Sequence, residues 1–82
     1  MITLTLYGRP GCGLCDQARA ELERLKAVGV SFELAERNID DDPDLLYRYL
    51  ERIPIVEFDG EILSELRLDP DDLRSKLATV LT

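Results

Sequence analysis

Histidine and tryptophan are absent from the 82-residue sequence, and only two cysteines are present. Without histidine, a Ser–His or Cys–His catalytic pair cannot form. A four-ligand zinc site would need carboxylates beside both cysteines, a donor set that matches structural zinc poorly. Basic residues are few, with 10 Lys and Arg against 17 Asp and Glu, and the resulting net charge of −7 argues against nucleic-acid binding.

The sequence also lacks a long apolar run. No stretch approaches the ~20 residues of a membrane-spanning helix. The first ten residues have neither the basic start nor the apolar core of a secretory signal. We therefore expect a cytoplasmic protein with no membrane partner. Its length predicts a single domain over residues 1–82 with one small core.

Alternating apolar and polar residues predict two strands in the first half of the chain. The first strand covers 2–7 and ends at a segment rich in glycine and proline, 8–11. The second covers 30–35 and is followed by an acidic connector at 38–42. Between the strands, apolar residues at helical spacing predict a helix over about 13–28, ended by a glycine.

Two more helices and a hairpin complete the predicted order β-α-β-α-β-β-α. Asp-Pro pairs at 42–43 and 69–70 predict helix starts, because aspartate caps a helix and proline fits its first position. The apolar stripes of these helices are Leu45, Leu46, Tyr49 and Leu50, and then Leu73, Leu77, Val80 and Leu81. Runs at 55–58 and 61–64 flank an Asp-Gly pair, which favours a two-residue hairpin turn. The fold class is therefore α/β, a four-stranded mixed sheet with helices on both faces and its first two strands parallel.

Cys12 and Cys15 are spaced C-x-x-C where the first predicted strand gives way to the first helix. A crosslink over three residues closes too small a loop to act as a structural staple, so the pair indicates redox or metal chemistry. A helix N-terminus lowers the pKa of a thiol placed there, and Arg9 is a candidate for tuning the thiolate further. We expect Cys12 to attack a substrate disulfide, and the more shielded Cys15 to resolve the mixed disulfide.

Three segments together resemble the glutaredoxin-like branch of the thioredoxin fold. They are the strand–G-R-P-G-C-G-L-C–helix opening, the R-I-P-I-V segment at 52–56, and the Asp-Gly hairpin that leads to a C-terminal helix. The resemblance implies a thioredoxin-like fold and a thiol–disulfide oxidoreductase with Cys12 as nucleophile and Cys15 as resolving cysteine. It also implies a cis peptide bond before Pro54, beside the site.

Four residues are substrate-binding candidates. By the resemblance, Arg52, Ile53 and Pro54 match the family's pre-proline segment, in which Ile53 would contact a bound peptide or glutathione through its main chain. Arg67 follows the hairpin, where it could join Arg52 in offsetting the negative charge of the protein.

The resemblance implies glutathione as a thiol partner, but the sequence departs from the family in two places. Gly13-Leu14 replaces a proline-tyrosine pair between the cysteines, and 64–67 lacks the glycine pair that holds glutathione. The charge of −7 also disfavours an anionic tripeptide.

We predict that the protein holds no metal and no permanently bound cofactor, and that its redox-active group is the Cys12–Cys15 disulfide. Its predicted partners are a disulfide-containing protein or small thiol substrate and a reductase or glutathione as electron donor, and the chain is expected to be a monomer. The alternatives are an iron–sulfur or metal carrier with a cluster shared between two chains, and a thioredoxin-fold binding module whose cysteines are incidental.

Overall fold

The computed structural model describes residues 2–81, with the backbone alone for Leu81. Its strands and helices, in chain order, are β1 (Thr3–Gly8), α1 (Gly13–Ala27), β2 (Glu33–Asn38), α2 (Pro43–Tyr49), β3 (Ile55–Phe58), β4 (Glu61–Glu65) and α3 (Pro70–Leu81). A single 3-10 turn, Ile39–Asp41, lies between β2 and α2. The predicted order β-α-β-α-β-β-α is confirmed. No helix within the described residues is long and apolar enough to cross a membrane.

The four strands form one sheet in the order β2-β1-β3-β4. β1 and β2 are parallel, from Thr3 opposite Glu33 to Gly8 opposite Asn38, and this pairing confirms the predicted crossover through α1. β3 runs antiparallel to both β1 and β4. The sheet is therefore mixed, as predicted, with β1 in its interior.

Apolar side chains form two clusters, which place helices on both faces of the sheet. The main cluster joins β1, β3 and β4 to α1 and α3, and consists of Leu4, Leu6, Ala18, Leu22, Leu25, Phe32, Val56, Leu63, Leu73 and Leu77. The site cluster joins β1, β3 and the first turn of α1 to α2, and consists of Tyr7, Cys15, Ile39, Leu45, Tyr49, Ile53 and Ile55. The side chain of Leu81, the last member of the predicted stripe, lies outside the described residues.

The turn chemistry predicted from the sequence is present. α1 ends in a Schellman motif, in which the Gly29 N–H donates to Lys26 O at 3.1 Å and the Val30 N–H to Leu25 O at 3.0 Å. Gly29 has a φ of 104°, which explains the glycine there. Asp42 and Asp69 each accept a hydrogen bond from a backbone N–H of the helix that follows. The hairpin turn has positive φ at both Asp59 and Gly60.

The bounds of β2 differ from the prediction of 30–35, because β2 covers Glu33–Asn38. The alternating pattern identifies side chains that are buried, such as Phe32, rather than backbone that is paired. β2 is an edge strand, and edge strands carry charged residues readily. Glu36 and Arg37 therefore lie within the strand, and Asn38, predicted as the first residue of the connector, is its last residue.

Leu66 follows β4 with a φ of 60°, in the left-handed region that L-residues seldom adopt. Its N–H donates to the Arg52 carbonyl at 3.0 Å, and its side chain is largely exposed. The left-handed conformation costs an L-residue about 1–2 kcal/mol relative to the right-handed one. This backbone bond joins the end of the hairpin to the segment that precedes Pro54.

We expect Leu66→Gly to change the free energy of unfolding by less than about 1 kcal/mol, because relief of the left-handed strain offsets the greater freedom of glycine in the unfolded chain. The matched control is Leu68→Gly, which should cost about 2 kcal/mol because Leu68 packs against the main cluster. Urea unfolding measures both values. Equal losses for the two variants would show that the conformation of Leu66 carries no strain.

Candidate active site

Cys12 and Cys15 lie where α1 begins, and the two residues form a disulfide with their Cα atoms 5.2 Å apart. Cys12 is the N-cap of α1, and its Sγ accepts a hydrogen bond from the Cys15 N–H at 3.1 Å. The Cys12 carbonyl accepts the first helical bond, from Asp16 N–H at 3.1 Å. The Cys12 sulfur therefore occupies the position where unpaired N–H groups and the helix dipole favour negative charge.

The two cysteines differ in burial. Cys15 is 1% exposed and belongs to the site cluster. Cys12 is half-buried and packs against the edge of the same cluster. Cys12 is thus the cysteine that an incoming molecule reaches, which matches the attacking role predicted for it. The roles themselves stay predictions.

Ile53, the residue before Pro54, belongs to the same cluster as Cys15, and Cys12 packs against that cluster. The Ile53–Pro54 peptide bond is cis, as predicted. The N–H groups of Arg52 and Ile53 both donate to the Tyr49 carbonyl, at 2.8 and 3.0 Å, so the end of α2 holds this segment. A substrate contact through Ile53 stays a prediction, and the Ile53 carbonyl is the group that would make it.

The three candidate arginines have different surroundings. Arg9 forms an ion pair with Asp40, with Nη2 3.2 Å from Oδ1. The Arg52 Nε donates to Glu65 Oε2 at 2.8 Å, and this guanidinium lowers the pKa of Glu65. Arg67 lines a groove beside Leu14 of α1 that neither Arg9 nor Arg52 lines. Arg9 and Arg52 thus each have a carboxylate partner, and the tuning and binding roles of all three arginines stay predictions.

An open cleft of about 460 Å³ runs between α1 and the end of β2 and reaches the flank of Cys15. Three of its charged side chains are paired with one another, since Arg19 donates to Glu36 at 2.6 Å and to Asp16 at 3.0 Å. Within residues 2–81, no charged side chain is buried. In the same part of the chain, no group of three or more Cys, Asp or Glu side chains is placed to hold a metal ion.

Tyr7 lies in the site cluster on the opposite side of β1 from Leu6. Its ring centroid is 5.2 Å from that of Tyr49, and its hydroxyl donates to Glu57 Oε2 at 3.5 Å. Burial raises the pKa of Tyr7, and the negative charge of Glu57 raises it further. The ring thereby remains a neutral, packed part of the cluster that contains Cys15.

Gly8 is the residue of the site that sequence patterns missed, because they mark it only as the end of a strand. It is the last residue of β1, and its backbone lies directly against the Cys15 side chain. The available signal was a glycine at a strand end near the cysteines, since a glycine in a strand often marks a close approach to the backbone.

A family model described as Glutaredoxin-like domain (DUF836) matches residues 3–78. The chain belongs to this family. The resemblance inferred from the sequence is therefore confirmed, and the Cys12–Cys15 pair is the C-x-x-C pair of a glutaredoxin-like domain. No curated protein matches the chain.

Two solved structures are similar to this glutaredoxin-like chain in sequence as well as in fold. A structural genomics target from X. campestris is 35% identical with a TM-score of 0.75, over 93% of this chain and 96% of its own. A Nitrosomonas europaea protein is 32% identical with a TM-score of 0.79, over 92% of this chain and 89% of its own. A thioredoxin mutant from Halobacterium salinarum is 23% identical with a TM-score of 0.65, over 95% of this chain and 73% of its own. This last likeness confirms the thioredoxin-like fold.

We expect Tyr7 to make the stability of the oxidised protein depend on pH in the alkaline range. The folded-state pKa of Tyr7 is raised above its unfolded value of about 10. The contribution of Tyr7 to the free energy of unfolding is therefore complete below the unfolded pKa, and it is lost as the pH rises through the folded pKa. Tyr7→Phe should therefore make the alkaline decline in unfolding free energy shallower, as measured by urea unfolding over a pH series.

The matched control is Tyr47→Phe, because Tyr47 is 91% exposed and lies outside both clusters. Its alkaline decline should follow that of the unmodified protein. Indistinguishable pH curves for the two variants would contradict a raised pKa of Tyr7.

Proposed function

We propose that this glutaredoxin-like domain is a thiol–disulfide oxidoreductase that carries two electrons in its Cys12–Cys15 pair. One observation carries the proposal: the pair forms a disulfide at the start of α1, with Cys12 accessible and Cys15 buried. A dithiol of unequal burial provides one sulfur for attack and another for resolution. The chemistry needs neither histidine nor a bound cofactor.

The reaction consumes one substrate disulfide and both thiols. The Cys12 thiolate attacks one substrate sulfur, a bond forms between them, and the other substrate sulfur leaves as a thiolate that takes up a proton. Cys15 then loses its proton and attacks the Cys12 sulfur, so that the intramolecular disulfide forms and the second substrate thiolate leaves. Two electrons pass to the substrate, and an external thiol or reductase must return them.

The start of α1 supports the first step. In the disulfide, the Cys12 Sγ accepts the Cys15 N–H. In the dithiol, the same donor and the positive end of the helix dipole would stabilise the Cys12 thiolate and lower its pKa below the ~8.5 of free cysteine. The fraction of Cys12 that is ionised near neutral pH then rises without a general base.

The charge distribution favours a protein reductase over glutathione as the electron donor. The protein carries a net charge of −7, and its site arginines Arg9 and Arg52 are already paired with carboxylates. Glutathione is anionic, so neither the whole protein nor these two side chains attract it strongly. We propose that the protein acts as a cytoplasmic monomer on protein or small-molecule disulfides and receives electrons from a reductase.

We expect Cys12→Ser to abolish reduction of a model disulfide, because the attacking sulfur is lost. Cys15→Ser should keep the first attack but accumulate the mixed disulfide, which mass spectrometry detects as a covalent adduct. In the unmodified dithiol protein, the pH dependence of alkylation should give a Cys12 pKa below ~8.5. A faster reaction at Cys15 than at Cys12 would contradict the assigned roles.

The electron donor is identified by coupled turnover of the same model disulfide, followed as consumption of NADPH. We expect thioredoxin reductase to sustain turnover and the glutathione–glutathione reductase system to sustain little. The Cys12→Ser variant is the control for direct reduction of the disulfide by either system. Faster turnover with glutathione would overturn the assignment of the donor while leaving the oxidoreductase activity established.

A further inference from the structure

Gly8 lies in contact with the side chain of Cys15. A Cβ atom placed on Gly8 would be 3.1 Å from the Cys15 Sγ and 3.2 Å from its Cβ, tighter than nine in ten real contacts of a Cβ atom. Gly11 and Gly13 belong to the same segment, yet a Cβ on either would meet nothing within 4 Å. Of these three glycines, only Gly8 needs a missing side chain for lack of space, whereas Gly11 has a φ of 78° that favours glycine whatever the space.

Neither side of this contact can easily move. Cys15 is 1% exposed, and the disulfide fixes its sulfur next to Cys12. Gly8 is fixed by the parallel pairing of β1 with β2, where it lies opposite Asn38. In a close-packed interior, a misfit of a few tenths of an ångström between two fixed groups must be absorbed as strain.

We propose that Gly8 is a positioning residue for the resolving sulfur. Its missing side chain lets the Cys15 sulfur lie against the end of β1 and within bonding reach of Cys12. This inference rests on the proposed function, since it assigns Gly8 to the step in which Cys15 attacks the Cys12 sulfur. That step forms the Cys12–Cys15 bond, releases the substrate thiolate and requires the same position of Cys15 that the disulfide shows.

A methyl group at position 8 acts unequally on the two oxidation states. In the dithiol, the Cys15 sulfur is not bonded to Cys12, so rotation about the Cα–Cβ bond can move it away from the added methyl group and relieve the 3.1 Å contact, while the 3.2 Å contact of the Cys15 Cβ remains in both states. In the disulfide, and in the attack that forms it, the sulfur is held in place and the contact persists. Gly8→Ala thus disfavours the disulfide and slows resolution. The first attack is unaffected, because Cys12 lies beyond 4 Å of a Cβ on Gly8.

The test reacts the reduced protein with dithionitrobenzoate, an aromatic disulfide that releases a coloured thiolate at each step. The first release reports attack by Cys12, and the second reports resolution by Cys15. Gly8→Ala should keep the first rate and slow the second by about tenfold. In a dithiothreitol redox buffer it should shift the equilibrium about tenfold toward the dithiol, which is about 30 mV for a two-electron couple.

Gly13→Ala is the matched control, because it adds the same methyl group between the cysteines without a contact. Equal second-release rates and equal dithiol–disulfide equilibria for Gly8→Ala and Gly13→Ala would overturn the inference. Absence of a Cys12-dependent first release from the unmodified protein would instead overturn the proposed function.

If Gly8→Ala fails to fold, the variant Gly8→Ala with Cys15→Ala decides the question. Removal of the Cys15 sulfur removes the 3.1 Å contact and leaves only the 3.2 Å one, which needs a smaller adjustment. Recovery of cooperative thermal unfolding in the double variant would support the inference. A double variant that stays unfolded while Cys15→Ala alone folds would overturn it, since the demand for glycine would then not come from the Cys15 sulfur.

Discussion

β1 is hydrogen-bonded along both edges and carries buried apolar side chains on both faces, and the other elements are placed relative to it. Its parallel partner β2 and its antiparallel partner β3 fix its position in the sheet. Leu4 and Leu6 face the main cluster, whereas Tyr7 faces the site cluster. Burial of each such side chain contributes about 1.5–3 kcal/mol to folding. Because the strand packs on both faces, the position at which the following loop begins is fixed.

The asymmetry of the two cysteines follows from the fixed position of the end of β1. α1 starts five residues after β1 ends, and its first turn must pass directly over the end of the strand. Cys12 caps the helix at the surface, whereas Cys15, one turn further, is turned inward onto β1 and α2. A spacing of three residues on a helix that begins against a buried strand is enough to make one sulfur accessible and the other buried. The difference in exposure between the two cysteines therefore requires no further catalytic group.

Features governed by local chemistry could be predicted from the sequence, as could the parallel pairing of the first two strands, but the exact strand register and the partners of distant side chains could not. The caps at Asp42 and Asp69 and the Asp59-Gly60 turn follow from residue type alone. The bounds of β2 depend on its register with β1, which no periodicity encodes. The ion pairs of Arg9 and Arg52 likewise join distant segments. A sequence pattern can show that an arginine is near the site, but it cannot show that a carboxylate already holds it.

We expect those ion pairs to matter more for the proposed encounter with a partner than for stability. Exposed pairs of this kind contribute only about 0–1 kcal/mol to folding, because water and salt screen them. Their effect on the field around the site is larger, because each guanidinium is matched by a carboxylate while the chain as a whole carries −7. The long-range electrostatic field acts on the encounter with a partner, and salt screens it over roughly 8 Å at physiological ionic strength. The contact of Cys15 with Gly8 acts instead on the proposed exchange between sulfur atoms. Charge and packing therefore control different steps of the proposed reaction. A change in surface charge should alter which molecules reach Cys12, but it should not alter the rate at which Cys15 resolves the mixed disulfide.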